Sequence, residues 1–432
     1  MIRFVLTIVA FLAAVPALAE IKIKEVTSPG GITAWLVEEH SIPFVALELQ
    51  WRGGTTLDPE GKTGVTNLMM GLLEEGSGEL DSRAFAREVE ELAASFSYRG
   101  YRDAVTVSAR FLTENRDASV SLLRKSIIEP SFPDEAIERV RGQVLSIIRS
   151  DLSDPSEIAS QSFNRLAFGD HPYANPTNGY EDTVAALTRD DIVAAHQAVM
   201  AKDNLFVGVV GDITEAELGA MLDDLLGDLP ETSAPPPTRA EVAFEGGTTV
   251  VEFDTPQSVA IFGHEGLKRD DPDFFAAYLL NQILGGSGFD SRLMTEVREK
   301  RGLTYGVYSF LVPMDHAELY MGQVSSANDR VAEAIEVIRV EWARMAENGL
   351  TDEELAKAKS YLTGAYPLRF DGNGAIASIL VGMQAEGLPL DYVATRNDKV
   401  NAVTLDDVNR VARELLRPEK LHFVVVGKPE GV

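Results

Sequence analysis

Two stretches of this chain repeat one succession of apolar and polar positions. Thr188-Arg-Asp-Asp191-Ile192 opens an amphipathic segment that leads into the β-branched run Leu205-Phe-Val-Gly-Val-Val-Gly211, and Thr404-Leu-Asp-Asp407-Val408 opens another that leads into Leu421-His-Phe-Val-Val-Val-Gly427. Thr188 and Thr404 are 216 residues apart, and so are Gly211 and Gly427. In each copy a threonine can cap a helix whose first turn is acidic, and the β-branched run suits a buried strand. Pro133-Asp-Glu135 and Thr351-Asp-Glu353 open long helical patterns at a similar offset. Equal spacing at two points predicts a tandem duplication of one unit.

Further strand patterns fall at Thr33-Ala-Trp-Leu-Val37, Phe44-Val-Ala-Leu-Glu-Leu49 and Val105-Thr-Val-Ser-Ala109, alternating with longer helical patterns. A sheet covered by helices is expected in each unit. The stretch Pro230-Glu-Thr-Ser-Ala-Pro235-Pro236-Pro237-Thr238 can continue neither a helix nor a central strand, and is read as the linker. The expected units are therefore 20–229 and 239–432, joined by 230–238. A length of 432 residues agrees with two domains rather than one core.

Residues 1–19 read as an export leader: Met1-Ile-Arg3, an apolar run from Phe4 to Leu18, and Ala17-Leu18-Ala19 at the cleavage point. The alternative is a buried helix or anchor, but the run is short for a span and polar Glu20 and Lys22 follow it directly. The protein is expected to be exported, and periplasmic if its source is a Gram-negative bacterium, with no membrane insertion after cleavage. There is no cysteine, which removes disulfides, thiolate metal sites and thiol nucleophiles. A net charge of -28 argues against nucleic acid as a partner.

Downstream of Gly64, the apolar residues Val65, Leu68, Met69, Leu72 and Leu73 mark one face of a helix. A zincin helix carries two histidines that ligate zinc and a glutamate that polarises water. The corresponding positions here hold Asn67, Gly71 and Met70, and none of these is a zinc ligand or a base. The phrasing from Gly61 through Ser77 resembles the pitrilysin, insulysin and mitochondrial processing peptidase family of inverzincins. The resemblance puts the counterpart of that family's third ligand, a glutamate, at Ile147, or at Ile148 if the register slips by one. Ile137, Val140, Val144, Ile147 and Ile148 read together as the apolar stripe of that second helix. The six histidines, at 40, 171, 196, 264, 316 and 422, are isolated and make no substitute metal pair.

In the second unit, Gly285, Gly286 and Gly288 form a glycine-rich loop that matches neither phosphate-binding pattern, and a helical pattern follows from Ser291 to Arg298. A flexible loop over a peptide groove is expected there. Arg298 and Tyr305, seven residues apart around Gly302, resemble the family's substrate clamp, in which guanidinium and phenol donate to the peptide backbone. The plainer alternative pairs Arg298 with a surface carboxylate and buries Tyr305 in the core.

The resemblance spans nearly all of the chain after the leader and includes Gly169-Asp-His171-Pro172-Tyr173, with His171 read as structural. It implies an α+β fold of two tandem homologous domains, each a mainly antiparallel sheet packed with helices, arranged as a clamshell. It also implies a non-catalytic, substrate-binding subunit of a heterodimeric zinc peptidase acting on peptides, with no metal or cofactor of its own and zinc in a homologous partner subunit. The alternative is an inactive structural or peptide-binding scaffold of the same fold.

Overall fold

The computed structural model describes residues 21–286, 288 and 290–432, so the leader expected at 1–19 lies outside the described residues. The N-terminal half begins with strands β1 (Lys24–Thr27), β2 (Thr33–Glu38) and β3 (Phe44–Arg52) and helices α1 (Val65–Met70) and α2 (Ser82–Glu91). The hairpin β4 (Ser95–Gly100) and β5 (Ala104–Leu112) comes next, then α3 (Arg116–Ile128), α4 (Asp134–Asp151), α5 (Pro155–Phe168), α6 (Glu181–Ala186) and α7 (Arg189–Val199). Strand β6 (Leu205–Gly211) and helix α8 (Glu215–Leu226) close this half. The C-terminal half runs β7 (Gly247–Glu252), β8 (Gln257–Glu265), α9 (Phe274–Leu284), a π-helical segment Met294–Glu299, β9 (Val307–Pro313) and β10 (Glu318–Ala327). It continues with α10 (Val331–Asn348), α11 (Asp352–Ala365), α12 (Asn373–Ala385), α13 (Tyr392–Ala402), α14 (Leu405–Leu415) and β11 (His422–Gly427). The proline-rich stretch 230–238 runs without helix or strand between α8 and β7.

The repeat read from the sequence is present strand by strand. The N-terminal sheet has the order β1-β2-β6-β3-β5-β4 and the C-terminal sheet β9-β10-β8-β11-β7. Leaving β1 aside, β2 matches β7, β6 matches β11, β3 matches β8, β5 matches β10 and β4 matches β9. Each sheet has one parallel pair, β2 with β6 and β7 with β11, and its other neighbours are antiparallel. A parallel pair needs a crossover rather than a hairpin, and the helical layer of each half lies within that crossover. The matched helices α7 and α14 begin alike. The Thr188 hydroxyl accepts from the Asp191 N–H at 3.3 Å, and the Thr404 hydroxyl accepts from the Asp407 N–H at 3.2 Å. Asp191 and Asp407 return the bond to the threonine N–H at 2.8 and 2.9 Å. Both are capping boxes.

Strands β6 and β11 are buried on both faces, which explains their unbroken apolar runs. One face meets the helices of its own half. The other is covered by a helix of the opposite half: α5 lies on β8 and β11, while α12 lies on β6 and β3. Phe163 of α5 is packed among Val259, Ile261, Val424 and Val426, and Leu380 of α12 among Trp35, Ala46 and Val210. Gly208 of β6 permits that approach, since a Cβ there would sit 2.5 Å from the Ala377 carbonyl oxygen. The exchange of helices locks the halves together. At the same junction the Tyr173 hydroxyl donates to Asp103 at 2.8 Å and accepts from the His316 N–H at 2.9 Å.

Candidate functional site

The N-terminal half keeps the frame of a metal helix. Asp58 accepts from the N–H groups of Gly64 at 2.7 Å and Thr66 at 3.1 Å, and so caps α1 from six residues upstream. Burial pushes its carboxyl up to about 6, against the opposing pull of those bonds. Val65, Leu68, Met69, Leu72 and Leu73 are all buried, as their spacing predicts. The helix is shorter than the apolar pattern suggests, because it ends at Met70 with Gly71 as its cap and turns follow. Glycine is a poor helix former, and burial of Leu72 and Leu73 does not require α geometry.

The degenerate positions hold an amide relay. Asn67 Nδ2 donates to Asn178 Oδ1 at 3.1 Å, and Asn178 Nδ2 donates to Asp151 Oδ2 at 3.0 Å, which ties α1 to the end of α4. Gly71 is exposed and Met70 is buried. Ile137, Val140, Val144 and Ile148 are buried, but Ile147 is 48% exposed. The sequence reading placed Ile147 in the core stripe. Adjacent residues on a helix point about 100° apart, so Ile148 takes the buried place and Ile147 faces outward. Amides, a thioether, a glycine and an isoleucine do not make a zinc ligand set. Among the described residues no three His, Cys, Asp or Glu side chains are grouped to hold a metal ion.

Two of the histidines serve structure. His171 Nε2 donates to the Thr238 carbonyl at 2.9 Å, and its Nδ1 accepts from the Tyr173 N–H. His264 Nδ1 donates to the Glu265 carbonyl at 2.7 Å, and its Nε2 accepts from Trp342 Nε1 at 3.1 Å. Burial lowers the His264 pKa to about 4, so the ring is neutral near pH 7.

The C-terminal half places its two candidate residues differently from ordinary surface groups. Arg298 is half-buried on the π-helical segment, where the Lys300 N–H bonds back five residues to the Thr295 carbonyl at 3.0 Å. Such widened turns occur often at functional sites. The chain then reverses at Gly302, whose φ of +60 suits glycine. Arg330 holds the carbonyls of Arg301 and Gly302 at 2.9 and 3.1 Å, and the Ser326 hydroxyl holds the Leu303 carbonyl at 2.6 Å. Leu303 and Val307 are buried, yet Tyr305 between them is 89% exposed. Tyr305 is therefore not a core residue.

The glycine loop is less free than the sequence suggests. Gly285 and Gly286 are buried, and the Gly285 carbonyl accepts from the Ser309 N–H at 2.7 Å; only Gly288 of the three is exposed. A Cβ on Gly285 would lie 2.4 Å from the Ser309 hydroxyl, so close docking on β9 demands glycine there. Among the described residues, strand β9 is a sheet edge that pairs only with β10. Beside it a groove of about 480 Å3 is walled by these glycines, Met294, Val307 and Phe310. This open edge and apolar groove adjoin Tyr305, and together they suit an extended peptide.

Two features were not read from the sequence. Asp58 lies too far upstream to match the local capping pattern, and the Tyr173, Asp103 and His316 contact joins residues from both halves that no spacing links. The Gly169–Tyr173 segment was the one available signal for the latter.

Comparison with known proteins gives a consistent result. The family model described as insulinase (peptidase family M16) matches residues 34–180, and that described as peptidase M16 inactive domain matches residues 186–362. The chain is 26% identical over 390 residues to the non-peptidase homolog YmxG of Helicobacter pylori, covering 90% of each chain. It is also 26% identical over 408 residues to an uncharacterized zinc protease of Streptomyces coelicolor, covering 91% of this chain and 87% of that one. A crystal structure of a peptidase M16 inactive domain from Pseudomonas fluorescens superposes with a TM-score of 0.88 at 29% identity, covering 95% of this chain and 98% of that chain. A Helicobacter pylori protease structure, at 18% identity and a TM-score of 0.86 over 94% and 99% of the two chains, shares the fold.

Proposed function

The chain belongs to peptidase family M16, as a homologue without the metal-binding motif, and from that premise we propose that it is the substrate-gripping subunit of a two-chain zinc peptidase. Tyr305 carries this reading: an aromatic side chain is held 89% exposed between two buried neighbours, by hydrogen bonds that fix the turn around it. The presented phenol stands beside an open strand edge and an apolar groove, surroundings that suit an extended peptide. Arg298, a turn earlier, supplies the second donor. The two donors act on the backbone carbonyls of an extended peptide lying along β9, orienting it and opposing charge that develops on the scissile carbonyl oxygen.

The metal ion belongs to the partner, a homologous subunit with a complete histidine and glutamate motif. The protein is exported through its leader, and periplasmic in a Gram-negative source. Its domains are 20–229 and 239–432. No helix among the described residues is long and apolar enough to cross a membrane.

In the reconstituted pair, Arg298→Ala and Tyr305→Phe are each expected to lower turnover on the order of 10²–10³-fold, the usual effect of removing one oxyanion donor. Unchanged turnover in both variants rejects the clamp. A second reading, a peptide-binding scaffold without cleavage, draws on the non-peptidase name of the Helicobacter pylori relative. It predicts that no zinc-bearing partner restores hydrolysis.

A further inference from the structure

The segment that carries Arg298 also carries a buried carboxylate with no part in the clamp described above. Glu296 lies on the π-helical segment Met294–Glu299 and is only 8% exposed. Its Oε1 accepts from Lys300 Nζ at 2.6 Å, and its Oε2 accepts from Arg301 Nη1 at 2.8 Å. The same Arg301 nitrogen donates to the Glu296 carbonyl at 2.8 Å. From α10, Arg344 approaches Oε1 at 3.8 Å and is itself paired with Glu341, which is also buried. Lys300 first, and Arg301 next, hold the Glu296 carboxyl below the usual carboxylate range.

Stability alone gives little reason for this arrangement. The side chains of Lys300 and Arg301 keep 60% and 39% of their exposure, so the carboxylate is the member of each pair that leaves water. Burying a charge is costly, and a well-packed apolar residue in such a place is often as stable or more so. What the carboxylate supplies is direction, because charge-assisted bonds are short and geometrically selective. Its two bonds fix the two residues that come immediately before Gly302, where the chain reverses.

That reversal governs how Tyr305 is presented. The Gly302 N–H donates to the Arg298 carbonyl at 2.8 Å, and the Leu303 N–H donates to the Val297 carbonyl at 3.0 Å. Beyond the turn, the Thr304 hydroxyl donates to the Ser325 carbonyl of β10 at 2.6 Å and accepts from the Gly306 N–H at 3.0 Å. The phenol is therefore pinned from β10 on one side of the turn and from Glu296 on the other.

We propose that Glu296 is a positioning residue for the clamp: its buried carboxylate holds Lys300 and Arg301, and through them the turn at Gly302 from which Tyr305 is presented. The inference rests on the clamp reading of Arg298 and Tyr305. Glu296 acts through Tyr305 and does not touch the peptide.

Hydrogen exchange on the isolated chain and kinetics of the reconstituted pair test it together. In Glu296→Gln the amides of Gly302 and Leu303 are expected to exchange about tenfold faster, the effect of losing one bond to a charged group, while the amides of α10 keep their native rates. In the pair, Glu296→Gln is expected to lower kcat about ten- to hundredfold with KM changed less than about twofold, because the peptide still lies along β9 while one donor is displaced. In a chain that already carries Tyr305→Phe, the same substitution is expected to cause less than about twofold further loss, since its effect is routed through the missing hydroxyl. Equal losses in the two backgrounds mark a merely structural role and overturn the proposal, as does unchanged exchange at Gly302 and Leu303. If Tyr305→Phe lowers turnover and Glu296→Gln does not, the positioning role falls and the clamp stands; if neither lowers it, both fall. Should Glu296→Gln not fold, Lys300→Ala combined with Arg301→Ala removes the same bonds from the exposed side and carries the same expectations.

Discussion

The N-terminal and C-terminal halves share one strand order, one parallel pair and one capping box, yet they treat their chemical positions in opposite ways. In the N-terminal half, Asn67, Gly71 and Ile147 occupy partly or fully exposed places and offer nothing to a metal. In the C-terminal half, Arg298 and Tyr305 are also outside the core, but a π-helical segment, a left-handed glycine and several hydrogen bonds hold the chain that presents them. Burial fixes the apolar pattern in both halves, and of the candidate positions Met70 lies within it, whereas Asn67, Gly71, Ile147, Arg298 and Tyr305 lie where burial constrains residue identity less. A fold can therefore lose its chemistry in one half without losing its core.

The strongest way to break this comparison is to remove the interlock. Phe163→Ala in α5 and Leu380→Ala in α12 are expected to cost about 3–5 and 2–5 kcal/mol, the range for truncating buried side chains of these sizes. Because each residue belongs to one half and packs on the other, each variant is expected to unfold both halves in a single transition, followed by urea melts monitored in the far and near ultraviolet. Two separated transitions would mean that the halves are independent.

A smaller effect distinguishes the halves by pH. Asp58 in the N-terminal half has its pKa raised to about 6, so its contribution is full below the unfolded value near 3.8 and is lost as pH rises through 6. His264 in the C-terminal half has its pKa lowered to about 4, so its contribution is full above the unfolded value near 6.5 and is lost as pH falls towards 4. Each term is about 2–3 kcal/mol at most, and between pH 4 and 6 they oppose each other. Asp58→Asn is expected to leave a protein that loses stability more steeply on acidification, and His264→Gln one that loses it less steeply. Identical slopes in stability against pH would contradict both assignments.

Much of this fold was legible because it rests on local rules. The two threonine caps, the matched β-branched strands and the buried face of α1 follow from spacing alone. What the sequence hid is long-range. Ile147 and Ile148 are adjacent in an apolar stripe, and only the packing of α4 decides which one is buried. The shortening of α1 at Gly71 was within reach of helix propensity, but the continuing apolar pattern masked it. The exchange of α5 and α12 gives no periodic signal, since a helix buries the same stripe whichever sheet it meets. In the candidate site, the motif pattern singles out Arg298 and Tyr305, but the exposure of Tyr305 and the tight docking of Gly285 on Ser309 leave no sequence signal.

The smallest test sharpens the likeness instead of the difference. Thr188→Ala and Thr404→Ala each remove one side of a capping box and should each cost about 1 kcal/mol. Equal losses in chemical denaturation support a duplicated unit, and a cost at only one site would show that the copies have diverged energetically.

The central claim is that this chain grips a substrate while another chain holds the metal. Elemental analysis of the isolated protein, combined with a peptide hydrolysis assay before and after a zinc-bearing homologous subunit is added, tests it most directly. The account predicts substoichiometric zinc and no hydrolysis alone, with hydrolysis appearing in the pair. One zinc per chain accompanied by hydrolysis in the isolated protein would contradict it.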